Sequence, residues 1–276
     1  MDMVDYVSSS CLRRFLGLKK LGYNVTIINC GRKLYDIFAV VGFEKMIHIG
    51  TKKLQIDTSK MKQIATGGNG KIYNFTRDEV LKIYYDSVSD ERVENGMVNA
   101  KKAFNKGLPV VIPFAMVETD QGKGVIYEKV TGKSLAEEMH TNPKYFKKGA
   151  LGLINLCKQL GSTEFEPGEL SSIRETYING LDPIKKLLPP HYVDAYNIAV
   201  ECIPETYTAV HGDLHAGNVM IEGNELLLID VDDFGCGHPI WDACSFYTAY
   251  YCLWEIDNEK ESMDFIGMTP KQAGKV

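Results

Sequence analysis

A chain of 276 residues, 45% hydrophobic, has room for one to two domains with ample core. Its formal net charge of −5 comes from intermixed acidic and basic side chains, which argues against a nucleic-acid partner, and no apolar run approaches the roughly 18 residues that span a bilayer. No signal-peptide pattern opens the chain, and its seven cysteines lack CxxC pairing or zinc-site spacing, so reduced thiols in a cytoplasmic protein are expected.

The first fifty residues alternate. Val4 to Val7 reads as a strand, Cys11 to Leu21 as a helix and Val25 to Asn29 as a buried strand. Gly31 to Val41 then reads as a helix and Met46 to Ile49 as a strand, an order that argues for a parallel sheet. The first helix gathers Leu12, Phe15 and Leu16 on one side, with Arg13, Arg14 and Lys20 elsewhere, and Ser8 to Ser10 are placed to cap it. A lysine-rich polar stretch from Gly50 to Lys60 marks a boundary, so a first domain is expected over residues 1–52 and a second over 60–276.

Beyond the boundary, Ile64 to Tyr73 reads as strand, glycine-rich turn, strand. Gly67, Gly68 and Gly70 would let main-chain amides approach phosphates. Val80 to Tyr84 is a short apolar strand interrupted by Lys82. A lone lysine on a strand usually faces solvent, but its place downstream of the glycine turn favours a phosphate-binding cation. That lysine calls for a carboxylate from the next helix, with Glu91 and Glu94 as candidates and Glu94 preferred. The helix should run through Val98, Ala100 and Phe104 to Gly107, weakened by Gly96 at about 1 kcal/mol relative to alanine. Gly124 to Gly132 reads as a strand and connector. Helices are then expected at Tyr145 to Leu160, Pro183 to Leu188 and Tyr192 to Val200, with a break at Pro189-Pro190.

The densest signal comes late, at His211-Gly212-Asp213-Leu214-His215-Ala216-Gly217-Asn218. It is followed by a strand pair, Val219 to Ile221 and Leu226 to Ile229, turning through Glu222-Gly223-Asn224 and ending at Asp230. In phosphoryl transfer a loop aspartate takes the hydroxyl proton while an asparagine and a second aspartate hold magnesium, and positioning supplies most of the rate. A polar surface hairpin is the plain alternative. Asp233-Phe234-Gly235 imitates the metal-binding triplet of protein kinases, but Asp230 closes the buried run and is preferred; Asp232 and Asp233 are then loop carboxylates near the site. Asp242, ahead of Ala243 to Tyr247, is placed to cap a helix.

The segment His211 to Asp242 closely resembles the aminoglycoside phosphotransferase and choline kinase-like family. The family pattern His-Gly-Asp-Leu-His-x-x-Asn, Ile-Asp, Gly-x-Pro-x-x-Asp stands here as HGDLHAGN, Ile229-Asp230 and Gly237-His238-Pro239-Ile240-Trp241-Asp242. The resemblance implies an α+β, two-lobed protein-kinase-like fold, with a small β-rich N-lobe at about 60–130 and a mainly helical C-lobe at about 131–276. It implies ATP and Mg2+ as cofactors and a small-molecule hydroxyl as acceptor. Asp213 becomes the catalytic base, His211 an orienting residue and Asn218 and Asp230 the magnesium ligands. His215 and Asp242 stand behind them. Protein kinases usually have arginine where Gly212 stands, which favours a small substrate. Gly124 to Gly132 resembles the strand and hinge joining the lobes, where adenine would meet main-chain groups from Glu128 to Val130.

Asp5 to Arg13, with Tyr35 to Phe38 and Gly42-Phe43, resembles the STAS domain of anti-sigma factor antagonists. The resemblance implies a partial α/β STAS-like segment, a phosphorylatable serine at Ser9 and a protein partner. Ser8 and Cys11 depart from the family's aspartate and glycine. The opening STAS strands are missing, and the chain ends soon after Tyr247 to Trp254, so a piece short at both ends is expected. The competing reading is a non-catalytic nucleotide-binding module that acts through the STAS-like segment.

Overall fold

Ser8 closes the start of the first helix, α1 (Ser9–Lys20), because its Oγ accepts the Cys11 amide at 3.3 Å. The computed structural model describes residues 7–23, 25–40, 42–51, 54–256 and 258–276. The expected strand residues Val4 to Tyr6, and Val41 at the end of the second helix, lie outside them. The chain forms two units, one of residues 1–60 and 116–124, the other of residues 61–115 and 125–276. The first thus takes in 116–124, a stretch that the sequence reading assigned to the N-lobe.

In the first unit β1 (Thr26–Cys30), α2 (Arg32–Val40) and β2 (His48–Thr51) make a β-α-β crossover. The strands run parallel, with Thr26 opposite His48 and Ile27 opposite Ile49. Their apolar residues bury a small core of Val7, Ile27, Leu34, Phe38, Phe43 and Ile47, in which the Phe38 and Phe43 rings stack at 5.4 Å. A short β3 (Leu54–Ile56) pairs in parallel with residues 117–119.

After the boundary come β4 (Gln63–Thr66), β5 (Gly70–Asn74) and β6 (Glu79–Tyr84), then β7 (Pro113–Thr119) and β8 (Gly122–Glu128), whose residues 116–124 count with the first unit. Their order is β7-β8-β6-β5-β4, and β4, β5 and β6 form an antiparallel meander with Ile72 opposite Lys82. Between β6 and β7 runs α3 (Asp90–Asn105), capped by Ser89. It buries Val93, Gly96, Met97, Ala100 and Ala103, whereas Val98 and Phe104 are exposed.

The remainder is helix-rich: α4 (Leu135–Thr141), α5 (Phe146–Ser162), α6 (Ile173–Leu181) and α7 (Pro190–Cys202). Then come β9 (Thr208–Val210), β10 (Val219–Glu222), β11 (Glu225–Leu228), β12 (Gly235–Gly237) and α8 (Ile240–Phe246). A π-helical stretch (Tyr247–Cys252) leads to α9 (Leu253–Ile256), α10 (Glu259–Ile266) and α11 (Pro270–Ala273). This sheet-then-helix order fits the kinase-like fold expected from the motif. The helix expected at Pro183 to Leu188 is instead a single 3₁₀ turn, Lys185–Leu187, because α6 already ends at Leu181. Pro190 sits in the first turn of α7, where a missing N–H costs nothing, so the proline pair starts a helix rather than merely breaking one. The connector from β8 to α4 lies against β10: the Ile221 amide donates to the Lys133 carbonyl at 2.9 Å.

Candidate active site

The loop between β9 and β10 owes its shape to Gly212, whose φ of +86° falls where only glycine is comfortable. A Cβ there would stand 2.8 Å from the Asp233 carbonyl oxygen, so arginine has no place at this position. Behind the loop, His211 is fully buried and its Nε2 lies 3.0 Å from the Ile229 carbonyl. Its Nδ1 accepts the Asp213 amide at 3.3 Å, which makes Nε2 the protonated nitrogen. The expected orienting role of His211 is therefore a link between the loop and the end of β11.

Asp242 does not cap its own helix, as its sequence position had suggested. Its carboxylate accepts the His211 amide at 3.1 Å and the Gly212 amide at 3.0 Å. Burial pushes this carboxyl up, against the pull of His211 and the two amides. Ser245 Oγ donates to the Gly212 carbonyl at 3.2 Å, and the Ala216 amide donates to the Tyr250 hydroxyl at 2.7 Å. The segment from α8 to the π-helical stretch thus holds the loop at three points.

Asp213 projects from this frame with 46% of its side chain exposed. Asn218 Nδ2 donates to its Oδ2 at 3.0 Å and to its main-chain oxygen at 2.9 Å. His215 Nε2 lies 3.7 Å from Oδ2, and His215 Nδ1 accepts the Gly217 amide at 3.1 Å. Burial alone would raise the Asp213 carboxyl, but the bond from His215, the neighbouring His211 and the bond from Asn218 outweigh it and hold it below the usual carboxylate range. Asp213 is therefore an ionised acceptor at neutral pH.

Asp230 follows β11 in the left-handed region, with φ 57° and ψ 57°. Among the described residues it is the only non-glycine with positive φ, a strain that typically collects at functional sites. Lys82 reaches it at 2.6 Å and reaches Asp232 at 2.5 Å. Lys82 is not a solvent-facing strand lysine: it is 7% exposed. Burial would lower its pKa, yet the two carboxylates raise it, so it stays charged.

Glu94 is not its partner. Glu94 and Glu91 are exposed on α3, and the helix presents Gly96 to the loop instead. A Cβ at Gly96 would come within 3.0 Å of the Asp232 main chain, so the glycine read as a helix defect is what lets α3 approach. The helix supplies a cation rather than an anion. Arg92 Nε and Nη2 donate to the Asp233 oxygens at 2.9 and 2.6 Å, which occupies that carboxylate.

Gly67 and Gly68 line an open turn, closed by the Gly67 amide donating to the Gly70 carbonyl at 2.8 Å. Gly70 serves packing rather than phosphates, because a Cβ there would stand 2.2 Å from the Ile83 carbonyl oxygen. Asn69, overlooked in the sequence, donates to Asp232 Oδ2 at 3.4 Å. At the hinge, the Glu128 amide donates to the Ile112 carbonyl at 3.1 Å and its carboxylate accepts the Ile112 amide at 2.6 Å. The Lys129 amide donates to the Asp78 carbonyl at 3.0 Å. Those two amides are spent within the fold. Tyr84 and Arg92 also escaped the sequence reading, and Asp232 entered it only as a loop carboxylate near the site, since their partners lie far along the chain.

This geometry has known counterparts. Residues 72–262 match the phosphotransferase enzyme family. An aminoglycoside-3'-phosphotransferase of type VIII shares the fold at a TM-score of 0.53 and 15% identity, with 77% of this chain and 83% of that one covered. APH(4)-Ia, an aminoglycoside phosphotransferase solved as a thermostable mutant with ADP and hygromycin B, aligns at a TM-score of 0.49 and 14% identity, over 78% and 81%. A choline/ethanolamine kinase family protein from Mesorhizobium loti aligns at 0.45 and 16%, over 79% and 74%. No curated protein matches the chain. With the family matched across β5 to α10 and the kinase-like fold around it, the chain belongs to the phosphotransferase enzyme family.

Proposed function

We propose that the protein transfers the γ-phosphate of ATP to a hydroxyl of a small molecule, with Asp213 as the base. One observation carries the reading: Asp213, Asn218, Asp230 and Lys82 are joined through direct contacts and one short loop. Asn218 bonds Asp213, the Ile229 amide donates to the Asn218 carbonyl at 2.9 Å, and the adjacent Asp230 pairs with Lys82. Asp213 accepts the acceptor hydroxyl's proton as that oxygen attacks phosphorus, while His211, Asp242 and Asn218 keep its carboxylate aimed. Lys82 neutralises the α- and β-phosphates, and the turn at Gly68, where nothing lies within 4 Å of a Cβ, leaves the main chain open to them.

Magnesium suits the donors here. Asn218 spends its amide nitrogen on Asp213 and keeps its oxygen, and Asp230 offers a carboxylate that is 32% exposed. Hard oxygen ligands of this kind bind Mg2+ together with substrate phosphates. When bound there, the ion supplies charge neutralisation for the phosphates. The acceptor class follows from the family. A cytoplasmic setting agrees with the absence, among the described residues, of a helix long and apolar enough to cross a membrane. The first unit's β-α-β crossover accommodates the STAS-like reading, in which Ser9, the first residue of α1, would take a phosphate.

The test is thermal shift with ATP, with and without magnesium. A ligand at roughly 100 times its Kd stabilises by about 2.7 kcal/mol, so a shift of several degrees that requires magnesium is expected. Asp230→Ala should remove the magnesium-dependent part. Asp233→Ala should keep it, because Asp233 is committed to Arg92. The reverse pattern would move the metal to Asp233, and no shift in the folded wild-type chain would refute the nucleotide site.

A further inference from the structure

We infer that Asp232 is the positioning residue for Lys82, taking the part for which a helix carboxylate was expected, and that this frees Asp230 for the metal. The inference rests on the phosphotransferase reading of the site. Its basis is how the loop 230–233 distributes three carboxylates. Asp233 faces Arg92 of α3 and Asp230 is partly open, whereas the Asp232 side chain is 3% exposed.

Asp232 is also the most fully bonded of the three. Oδ2 accepts Lys82 Nζ at 2.5 Å and Asn69 Nδ2 at 3.4 Å; Oδ1 accepts the Tyr84 hydroxyl at 2.7 Å and the Tyr127 hydroxyl at 3.4 Å. The two phenols bond each other at 2.9 Å. Among the described residues, Asp230 accepts only from Lys82. A buried carboxylate with three donors and a share of the Tyr127 proton, which also faces the Tyr84 oxygen, is held in place, while a third-exposed one with a single donor can turn to another cation. The main chain agrees, since Gly96 lets α3 close directly over Asp232.

The consequence concerns competition. In the wild-type chain Lys82 keeps a counter-charge when Asp230 engages magnesium. Without Asp232, Asp230 would be the one carboxylate left to Lys82 beside the phosphates, so the metal would have to compete with Lys82 for its own ligand.

The experiment titrates magnesium at fixed ATP by thermal shift in the full chain. Asp232→Asn should raise the magnesium concentration for half-maximal stabilisation roughly tenfold, the low end for losing a charge-assisted hydrogen bond. In a chain that also carries Lys82→Met, the same substitution should leave the requirement unmoved, because the competitor is gone. Tyr84→Phe, which loosens Asp232 but keeps its charge, should raise the requirement about threefold, as for a neutral hydrogen bond; it decides the matter if Asp232→Asn does not fold. A rise that persists beside Lys82→Met would make Asp232 a metal ligand and overturn the inference. An unchanged requirement in the single variants would reduce Asp232 to a packing role and overturn it too. A folded wild type that ATP and magnesium fail to stabilise would instead fail the nucleotide-site reading itself.

Discussion

Asp213→Ala is expected to lower turnover by about two to four orders of magnitude, the usual contribution of a positioned base, and to leave Mg-ATP binding near the wild-type level. The separation follows from where the residue acts: a base stabilises the transition state of the hydroxyl's attack and makes no contact on which nucleotide affinity depends. Asn218 retains its bond to the Asp213 main-chain oxygen, so the metal side of the site survives the loss of the carboxylate. Asp213→Asn, which preserves shape and removes the acceptor charge, should match the alanine variant. ADP release across a panel of amino sugars and amino alcohols, paired with ATP thermal shift, checks this. Retained turnover in both variants would remove Asp213 from the mechanism.

Gly132→Ala is expected to cost on the order of 3 kcal/mol or more, the upper end for forcing volume into a packed site. A Cβ at Gly132 would stand 1.5 Å from the Ile221 carbonyl oxygen and 2.7 Å from its carbon, both main-chain atoms that cannot swing aside. The connector and β10 must part, breaking the Ile221 to Lys133 bond and pulling on the hairpin that ends at Asp230. At roughly 2–4 °C per kcal/mol for a unit of this size, the melting temperature should fall by about 6–12 °C. Gly68→Ala is the control: no atom lies within 4 Å of its Cβ, so a shift within about 0.5 kcal/mol is expected. Equal melting temperatures for the two variants would refute the packing argument.

The clustering of Asp213, Asn218 and Asp230 was legible because they sit within twenty residues and their spacing is set by one loop and one hairpin. Lys82 was legible for a weaker reason, as a charge interrupting an apolar strand. Its partner was not, since the choice between Glu94 and Asp232 depends on which face α3 turns to the loop. That face is set by Gly96, which propensity alone scores as a defect. Gly70 misled in the opposite direction: it looked like a phosphate glycine and is required by the approach of β6. Residues 116–124 belong with the first unit because β3 pairs there, and because the Thr58 amide and hydroxyl donate to Asp120 Oδ1 at 2.8 and 2.6 Å. A register chosen by contacts some sixty residues apart leaves no local trace.

The left-handed backbone at Asp230 places durability and activity in opposition at a single residue. Glycine would relax that turn, and asparagine would tolerate it nearly as well. Selection for thermal endurance alone would therefore tend to drift away from aspartate here, trading a ligand for a more comfortable bend. Laboratory evolution of hardier versions of this chain should be screened for catalysis at every round, because on the proposed mechanism the quickest gain available at position 230 would also remove a metal ligand.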